Sequence, residues 1–568
     1  MTPIRTRRGL PGMLWYPGFK KIAITLVVIL LLAGCSSMDV KPHYQGLGQQ
    51  PTEATYFDVI IPTHDGLELT ATVFQPALTE GETAPVIIHA HGFGAFRADG
   101  PVSVYGQLIL SGEAAVEAWR HGYWVVSYDS RGFGSSDGQV HLMDPEHEVR
   151  DVSSVINWID DFLPRLHRNA DAKPYIGMLG ESYGGGATIL GSMMDARIDA
   201  IVPITTWYDL PSAFAPNGLV KSHWAFLLFS FGNINSFFDF DMMFEDAYLD
   251  MFGGYLNETV RQDMAIRSPS FYCDQGKTVQ ADALFIQGFS DALFDVSQGY
   301  DNWQCARRSQ HDTRLLAILD GHKAIWPVQS WTGMPLYNTQ PSITCDGQSF
   351  ALQDAIVRWF DEKLKQHADV ASDIPRLCAA TTDDQGYVLE DLPQGVEDFW
   401  LPSSEVNLVQ SGMFEVIMSP LDYLASAFRF DREPDPIEEQ SMRGGFLRQA
   451  FVPLTVVGQA DHLIGVPKIN LHMTTTDSDR DGVLLIGIGV RQMDSFQVKV
   501  VSEQFLPLTG DGVYRQTLPP ISHQLQAGDT VGLVLQGFSG QYFWNPEGWF
   551  AKASVQGEVW LPKPGALR

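Results

Sequence analysis

The chain has 568 residues, 45% of them hydrophobic and 18% charged, and its 67 acidic and 38 basic side chains give a formal net charge of −29. This length exceeds one ordinary domain, so we expect two or three domains, each with its own core. The acidic balance excludes nucleic acid as an expected partner, because phosphate backbones bind cationic surfaces.

The first 35 residues have the pattern of an export signal. Basic residues between Arg5 and Lys21 precede an apolar run, Ile22–Leu32, and this run ends in Leu32-Ala33-Gly34-Cys35. The run is shorter than the roughly 20 residues of a membrane-spanning helix. The pattern therefore predicts a lipoprotein signal peptide that is removed before Cys35, whose lipidated thiol anchors an exported protein to the membrane of the bacterial cell envelope. An uncleaved signal anchor is the alternative.

Between Tyr56 and Asp320, short apolar segments alternate with amphipathic helical segments, as in proteins with a parallel sheet. This alternation predicts an α/β fold with a doubly wound sheet that is covered by helices on both faces. The predicted strands are 56–61, 67–74, 86–90, 124–128, 175–179, 198–204, 283–287 and 314–319, and the predicted helices include 111–121 and 147–162.

Two later regions have different patterns. Residues 205–280 are rich in aromatic side chains and lack strand alternation, which predicts an inserted helical cap. After a helix at about 349–366 and a Pro/Asp/Gly-rich region, 369–397, short alternating segments separated by turn signals predict a β-sandwich. The predicted strands of this second domain are 468–474, 483–490, 497–501, 530–535 and 553–561.

The segment Gly180-Glu181-Ser182-Tyr183-Gly184 lies between a short apolar run and a helix of small residues. A serine on a sharp strand-to-helix turn needs close neighbours without side chains, so the glycines two positions before and after it are a steric requirement. The pattern is typical of a nucleophile elbow, and it makes Ser182 the candidate nucleophile.

A second match to the same pattern, Gly134–Gly138, contains Ser136. It follows a predicted strand only after a polar stretch, and no helix of small residues comes after it. We therefore interpret this second match as a loop.

A serine nucleophile needs a base, and the base needs an acid that orients it. On a sheet with a nucleophile elbow, the acid and the base follow the serine at the carboxyl ends of later strands. Asp291 and His322 each come directly after a predicted strand, so we expect Asp291 to be the acid and His322 the base. Asp295 and Asp320 remain alternative acids.

Two N–H groups are needed to stabilise the oxyanion that forms after nucleophilic attack. We expect one from Tyr183 and one from Phe93, which lies in the loop after a predicted strand. His91, in the same loop, is expected to fix the loop rather than to act as a base. These residues predict acyl transfer in two steps: His322 takes the Ser182 proton, an acyl-enzyme forms, and water activated by His322 releases it.

Four cysteines follow Cys35. In an exported protein an even number predicts two disulfides with three possible connectivities. Of these we expect Cys273–Cys305 and Cys345–Cys378.

We expect no metal ion and no cofactor. None of the cysteines has the spacing of a zinc site. The segment Asp477–Gly482 resembles the start of a calcium loop, but Ile488 stands where a bidentate Glu is needed, so we interpret the segment as a turn between strands, with a calcium site as the alternative.

Together these features resemble the X-prolyl dipeptidyl-peptidase and cocaine-esterase family of serine hydrolases over roughly residues 55–565. The resemblance is carried by Tyr128–Gly132, the elbow Gly180–Gly185, Arg267-Ser268-Pro269 and the β-rich C-terminal domain. It implies an α/β-hydrolase fold with a helical cap and a jelly-roll, galactose-binding-like C-terminal domain. It also implies cleavage of dipeptides, esters or acylated amino compounds.

Two further expectations follow from the resemblance. In the esterase members a Tyr hydroxyl of the first oxyanion loop donates one hydrogen bond, whereas Phe93 stands in that loop here, which favours a backbone N–H. Aminopeptidases of this kind hold a free α-amino group with carboxylates, and an acidic cluster of the cap that includes Asp239 and Asp241 is the candidate substrate-binding clamp. The other interpretation of this cluster is a solvated acidic helix face.

The sequence thus predicts a signal peptide over residues 1–34, a linker over 35–54, a hydrolase domain over 55–390 with its cap at about 205–280, and a β-sandwich domain over 395–568. We expect an exported serine hydrolase that acts on peptides, in the manner of an X-Pro dipeptidyl-peptidase, or on esters. The alternative is a surface lipoprotein that binds carbohydrate or protein through its β-domain and whose hydrolase fold is inert.

Overall fold

The computed structural model describes residues 53–102, 109–236, 246–247, 250, 254–322, 337–338, 341–408, 449–476, 482–493, 495, 498–537, 539–542 and 552–562. By their contacts these residues all fall within one compact unit, His43–Arg568. Within these ranges no helix is both long and apolar enough to cross a membrane. The predicted signal peptide and Cys35 lie outside the described residues.

The helices and strands are numbered here in chain order. The strands are β1 (Thr55–Pro62), β2 (Glu68–Gln75), β3 (Val86–Ala90), β4 (Trp124–Tyr128), β5 (Ile176–Glu181), β6 (Ala200–Ile204), β7 (Asp282–Gly288), β8 (Thr313–Ile318), β9 (Gly321–His322), β10 (Tyr337–Asn338), β11 (Ser342–Cys345), β12 (Gln348–Ala351), β13 (Leu377–Ala380), β14 (Gly386–Val388), β15 (Glu397–Asn407), β16 (Gln449–Val456), β17 (Asp461–Gly465), β18 (Lys468–Thr475), β19 (Val483–Arg491), β20 (Val498–Val500), β21 (Leu506–Thr509), β22 (Gly512–Thr517), β23 (Ile521–Leu525), β24 (Thr530–Gln536) and β25 (Lys552–Leu561). The helices are α1 (Leu110–Arg120), α2 (Glu148–Phe162), α3 (Tyr183–Met194), α4 (Leu210–Phe214), α5 (Ser222–Asn235), α6 (Glu258–Ala265), α7 (Pro269–Asp274), α8 (Val296–Ala306) and α9 (Leu352–Lys363).

A ten-stranded sheet in the order β1-β2-β4-β3-β5-β6-β7-β8-β13-β14 forms the centre of the N-terminal part. The strands from β4 to β13 in this order are parallel, and the other neighbours are antiparallel. Alternate residues of a central strand enter separate cores on the two faces, Val86 and Ile88 in one and Ile87 in the other. This arrangement explains why these strands are continuous apolar runs, and it confirms the predicted doubly wound sheet.

The region between β6 and β7 is helical, as predicted for the cap. Helices α4 to α7 lie here, and the described residues of 205–280 include no strand. Side chains begin two of these helices: Asp209 accepts a hydrogen bond from the Ser212 N–H at the start of α4, and Asn257 accepts one from the Val260 N–H at the start of α6. Proline at the second position of α4 and the first of α7 fits the same pattern of helix starts.

The C-terminal part consists of antiparallel sheets, which confirms the predicted β-sandwich. One sheet has the order β15-β25-β18-β22, a second has the order β16-β24-β19-β20 with β21 also paired to β19, and β17 pairs with β23. Inward-facing residues of both larger sheets, such as Leu471 and Leu533, share one apolar core. The galactose-binding-like character of this domain stays a prediction.

The predicted elements were incomplete: the strands β9–β12, β15–β17 and β21–β23 were not predicted, and two further differences concern residues 349–397. Residues 369–397 include β13 and β14, which extend the central sheet by two strands. These strands have four and three residues, too few to show a period in the sequence. The helix predicted at about 349–366 is α9, Leu352–Lys363, and the residues before it form the hairpin strand β12.

The structure confirms both expected disulfides. Cys273 of α7 is bonded to Cys305 of α8, and Cys345 of β11 is bonded to Cys378 of β13. The first bond joins the cap to the helix that follows β7, and the second joins the β11–β12 hairpin to the central sheet. Both bonds close loops of more than 30 residues, so each restricts the unfolded chain considerably.

Candidate active site

Ser182 lies at the sharp turn between β5 and α3. Its backbone has φ 53° and ψ −116°, which is strained for a residue other than glycine. A Cβ atom at Gly184 would lie 2.1 Å from the carbonyl oxygen of Ala90, and one at Gly180 would lie 2.4 Å from the carbonyl oxygen of Gly184. Only glycine fits these two positions, so the steric requirement inferred from the sequence is met by the structure.

Asp291 and His322 form a buried acid–base pair. The Asp291 Oδ2 lies 2.7 Å from the His322 Nδ1, and the two residues are 0% and 7% exposed. The other carboxylate oxygen of Asp291 accepts hydrogen bonds from the N–H groups of Leu293 and Phe294 at 2.9 and 2.7 Å. The loop therefore holds the carboxylate, and the carboxylate holds the imidazole with its proton on Nδ1, which makes Nε2 the basic nitrogen.

The alternative acids have other contacts. Asp295 is the N-cap of α8, where its Oδ1 accepts a hydrogen bond from the Ser297 N–H at 2.9 Å. Asp320 lies in the turn after β8, and its carbonyl oxygen packs so closely on Gly288 that a side chain there would overlap it. The geometry thus favours Asp291 as the partner of the histidine.

Ser182 lines an apolar pocket, and His322 contacts a residue of the wall of that pocket. Ser182 follows β5 and His322 follows β8, so both lie at the same edge of the parallel sheet. The rings of Trp224 and Phe294 meet the His322 ring edge to face at centroid distances of 5.7 and 5.4 Å. Phe294 also lines the pocket that contains Ser182.

The pocket encloses about 680 Å³ of unoccupied space, its open mouth included. None of the described residues that line it carries a formal charge, and cap residues form much of its wall. The predicted site residues among them are Ser182, Tyr183 and Phe93, and the others are Leu142, Trp207, Leu210, Phe214, Ala225, Leu228, Phe229, Ala247, Met264, Leu293 and Phe294. Such a wall favours an apolar group of the substrate.

Tyr183 and Phe93, the expected oxyanion-hole residues, lie together at the pocket. Their rings pack edge to face with centroids 5.5 Å apart. Tyr183 is the first residue of α3, whose first N–H groups have no acceptor within the helix. Their role in binding an oxyanion stays a prediction.

His91 has the contacts of a residue that fixes a loop. It is fully buried, its Nδ1 lies 2.8 Å from the Gly92 carbonyl oxygen, and its Nε2 accepts a hydrogen bond from the Ser130 N–H at 3.0 Å. Burial lowers the pKa of His91. The ring is therefore neutral and joins the loop after β3 to the loop after β4.

The loop that carries Leu142 into the pocket is held by the buried side chains of Glu148 and Arg267. Glu148 accepts hydrogen bonds from the N–H groups of His141 and Asp144, and Arg267 donates to the His141 carbonyl oxygen and pairs with Asp144 at 2.9 Å. The Arg267-Ser268-Pro269 motif thus supports a wall of the pocket. Glu148 was not singled out in the sequence, since an acidic residue at a helix start is common.

A buried polar network lies beneath the elbow. The Glu181 carboxylate accepts a long hydrogen bond from the Ser111 N–H at 3.4 Å, and His89 lies between the hydroxyls of Ser111 and Ser127 at 3.2 and 2.8 Å. Burial raises the pKa of Glu181 to about 8 and lowers the pKa of His89 to about 3. Both groups are therefore neutral at neutral pH, and Glu181 directly precedes Ser182 in the chain.

Of the remaining candidate residues, the structure describes Ser136. Ser136 donates from its hydroxyl to the Asp129 carbonyl oxygen at 2.7 Å and accepts from the Thr70 N–H, so the second elbow-like match is a structural turn. The acidic candidates Asp239 and Asp241 lie outside the described residues. Residues 477–481 of the segment that resembles a calcium loop also lie outside them.

Comparison with known proteins supports the resemblance. Residues 65–234 match the family described as X-Pro dipeptidyl-peptidase (S15 family). An uncharacterized 31.7 kDa protein of Escherichia coli, encoded in the traX-finO intergenic region, is 32% identical over 127 residues, which are 22% of this chain and 38% of that protein. The match thus spans well under half of the length of this curated relative.

Three solved structures share the fold over almost the whole chain. An aminopeptidase from a marine sediment archaeon, Thaumarchaeota archaeon, has a TM-score of 0.60 at 13% identity and covers 93% of this chain and 99% of its own. A CocE/NonD family hydrolase from Staphylococcus aureus has a TM-score of 0.60 at 13% identity, with coverage of 94% and 99%. An alpha-amino acid ester hydrolase has a TM-score of 0.58 at 12% identity, with coverage of 93% and 99%.

At these identities the structural likeness shows the fold, and it covers the α/β part as well as the C-terminal sheets. The α/β-hydrolase fold with a C-terminal β-sandwich is therefore confirmed. The match of residues 65–234 to the X-Pro dipeptidyl-peptidase (S15) family confirms the resemblance predicted from the sequence and indicates a hydrolase.

Proposed function

Because this chain has the fold and a matched segment of the X-prolyl dipeptidyl-peptidase and cocaine-esterase family, we propose that it is a serine hydrolase that cleaves peptide or ester bonds through an acyl-enzyme on Ser182. The observation that carries the proposal is the position of the strained Ser182 in an apolar pocket. Phe294 lines the same pocket and contacts His322, which is hydrogen-bonded to Asp291.

In the proposed mechanism, the Ser182 hydroxyl attacks the carbonyl carbon while Nε2 of His322 takes its proton. The Asp291 carboxylate stabilises the imidazolium that forms. The tetrahedral intermediate then collapses, and His322 returns the proton to the leaving amine or alcohol. Water, deprotonated by His322, attacks the acyl-enzyme and releases the acid and Ser182.

Two backbone N–H groups are proposed to bind the oxyanion, those of Tyr183 and Phe93. The start of α3 supports this role for Tyr183, because N–H groups at a helix N-terminus favour negative charge. The position of Phe93 in the loop after β3, packed on the Tyr183 ring, supports its role as the second donor.

The pocket supports a substrate with an apolar acyl group or an apolar side chain next to the cleaved bond. Its described lining offers no charged partner for a free α-amino group. An X-Pro dipeptide substrate needs such a partner, and Asp239 and Asp241 of the cap are the proposed candidates for it. Peptides of the X-Pro type and apolar acyl esters are therefore the two substrate classes to compare.

An active-site-directed fluorophosphonate tests the proposal. We expect the wild-type chain and Ser136→Ala, the matched control in the second elbow-like motif, to be labelled, and Ser182→Ala to be unlabelled. X-Pro-anilides and a series of acyl esters of increasing length then identify the substrate class. A wild-type chain that is neither labelled nor active on any of them would support the inert surface-binding lipoprotein instead.

We also propose that the protein is exported and attached to the membrane by a lipid on Cys35. The pattern of residues 1–35 supports this, and the two disulfides fit an oxidising compartment. Mass spectrometry of the mature N-terminus is expected to find a lipidated Cys35 and no residues before it. A mature chain that still begins at Met1, or an unmodified Cys35, would contradict the proposal.

A further inference from the structure

A side chain of the C-terminal β-sandwich reaches the acid loop (residues 289–294), which carries the proposed catalytic acid Asp291. Gln504 lies between the short 3-10 turn Val501–Glu503 and β21, and it is 4% exposed. Its Nε2 donates hydrogen bonds to the carbonyl oxygens of Asp291 and Phe289, at 2.7 and 3.1 Å. It therefore contacts the backbone of the same residue whose side chain holds His322.

The loop needs these donors. Its own N–H groups are bonded to the end of the neighbouring strand: those of Phe289 and Ser290 donate to the carbonyls of Ile318 and Leu319, and that of Ala292 donates to the His322 carbonyl. Phe289 and Asp291 are fully buried, and a buried carbonyl without a donor is costly. Gln504 supplies two of the donors.

A third loop carbonyl receives its donor from the cap. The buried Nζ of Lys221 donates to the carbonyl oxygen of Leu293 at 2.9 Å. The acid loop is thus held on one side by the central sheet and on the other by side chains from the β-sandwich and the cap. Two segments that are distant in the chain meet at the residues that orient Asp291.

Gln504 is itself held firmly. Ser502 and Glu503 before it have positive φ values of 57° and 54°, a strained conformation for residues other than glycine that persists only where the surroundings enforce it. The Nε2 of Gln541 donates to the Glu503 carbonyl at 3.1 Å, and the Ser502 hydroxyl accepts from the Ser522 N–H. Phe505 and other sandwich residues also share an apolar cluster with the cap residue Leu219.

We propose that Gln504 is a positioning residue for the hydrolase reaction, and that the β-sandwich is therefore an integral part of the catalytic centre. The inference rests on the proposed function and extends it to a residue that touches neither the substrate nor the reacting atoms. Gln504 acts through the backbone of Asp291, whose carboxylate must stay within hydrogen-bonding distance of His322 for the base to work.

The test replaces Gln504 in the full chain by methionine, which has a similar shape and no donor. We expect Gln504→Met to lower kcat and the rate of fluorophosphonate labelling about tenfold or more, with KM within twofold of wild type. We also expect the acidic limb of the pH–rate profile to move to lower pH, because a displaced carboxylate stabilises the His322 imidazolium less.

Ser522→Ala is the matched control. The Ser522 hydroxyl also joins the sandwich to the central sheet, by donating to the Ala380 carbonyl at 2.5 Å, but it does not contact the acid loop. Its removal is expected to leave kcat and the pH profile within twofold of wild type. A loss in the control equal to that in Gln504→Met would show a general effect of the domain contact and overturn the inference.

If Gln504→Met does not fold, Gln504→Glu replaces it. The introduced carboxyl group has one donor when protonated and none when ionised, so the labelling rate is expected to fall further below that of wild type as the pH rises. Wild-type rates and a wild-type pH profile in a folded Gln504 variant would overturn the inference. Failure of the proposed function is distinguishable, since the wild-type chain itself would then remain unlabelled.

Discussion

The hydroxyl of Tyr183 donates a hydrogen bond to the buried carboxylate of Glu148 at 3.2 Å. This contact joins the residue after Ser182 to the helix start that holds the Leu142 loop, so the proposed oxyanion donor and one wall of the pocket form a single unit. The proposed role of the Tyr183 backbone N–H and the contact of its side chain can be tested separately.

Tyr183→Phe removes the hydroxyl and keeps the backbone N–H. We expect the free energy of unfolding to fall by about 1–2 kcal/mol, because the buried Glu148 loses a donor. We expect kcat to fall by less than about tenfold, because the proposed oxyanion donor remains. Urea unfolding and steady-state kinetics measure the two effects, and a thousandfold loss of kcat in a stable variant would assign the hydroxyl itself to catalysis.

Asp291→Asn tests the acid of the proposed triad. An amide in place of the carboxylate favours the wrong histidine tautomer, so we expect kcat to fall by about 10⁴-fold with little change of the fold. Asp295→Asn is the matched control, because asparagine also begins helices well and α8 needs only that. Equal losses in the two variants would contradict the assignment of Asp291.

Gly184→Ala tests the elbow. The added Cβ would lie 2.1 Å from a backbone oxygen of Ala90, which cannot move aside cheaply, so we expect a loss of about 1–3 kcal/mol in stability and of at least a hundredfold in the labelling of Ser182. Gly191→Ala adds the same atom to the same helix, 3.1 Å from a side-chain carbon of Val152 that can adjust. This control is expected to retain labelling, and labelling of both variants at wild-type rates would contradict the elbow geometry.

Glu181→Gln tests the buried network by its pH dependence. Burial raises the pKa of Glu181 to about 8 from the usual 4.5, so between these values the folded protein binds a proton that the unfolded chain does not. This group's contribution to the free energy of unfolding is therefore present below pH 4.5 and is lost as the pH rises through 8. We expect Glu181→Gln to be more stable than wild type by on the order of 2–4 kcal/mol at pH 9 and similar to it at pH 4. If the free energy of unfolding, measured with urea, had the same pH dependence in wild type and in Glu181→Gln, the raised pKa of Glu181 would be contradicted.

The disulfides make a prediction for stability. We expect the removal of either disulfide to lower the free energy of unfolding by about 3–4 kcal/mol, because the bonds join residues that are 32 and 33 positions apart. The double variants are Cys273→Ser with Cys305→Ser, and Cys345→Ser with Cys378→Ser. Thermal melting without reductant measures the loss. In a variant that lacks one disulfide, a reductant should lower the free energy of unfolding further, because it breaks the remaining disulfide. A loss below about 1 kcal/mol in the free energy of unfolding of either double variant would contradict the expected contribution.

The sequence predicts the parts of the molecule whose pattern is local. The parallel strands are visible because helices cover both faces of the sheet, so that a strand such as β3 reads as a continuous apolar run. The elbow is visible because two glycines at fixed distances from Ser182 are a steric requirement of the turn. The strands β13 and β14 were missed because strands of four and three residues have no readable period.

The sequence by itself determined the chain order of the candidate residues Ser182, Asp291 and His322 and the type of most elements of the central sheet, since these follow from side-chain chemistry within short segments. For the four cysteines after Cys35 it left three connectivities open, and the structure decided between them. Only the tertiary structure decided that Asp291 rather than Asp295 holds the histidine, that the cap aromatics line a pocket, and that Gln504 contacts the acid loop from 213 positions away. The physical reason is that these contacts depend on how separate layers pack against one another. The periodicity of a sequence does not predict which buried carbonyl a distant side chain will hydrogen-bond.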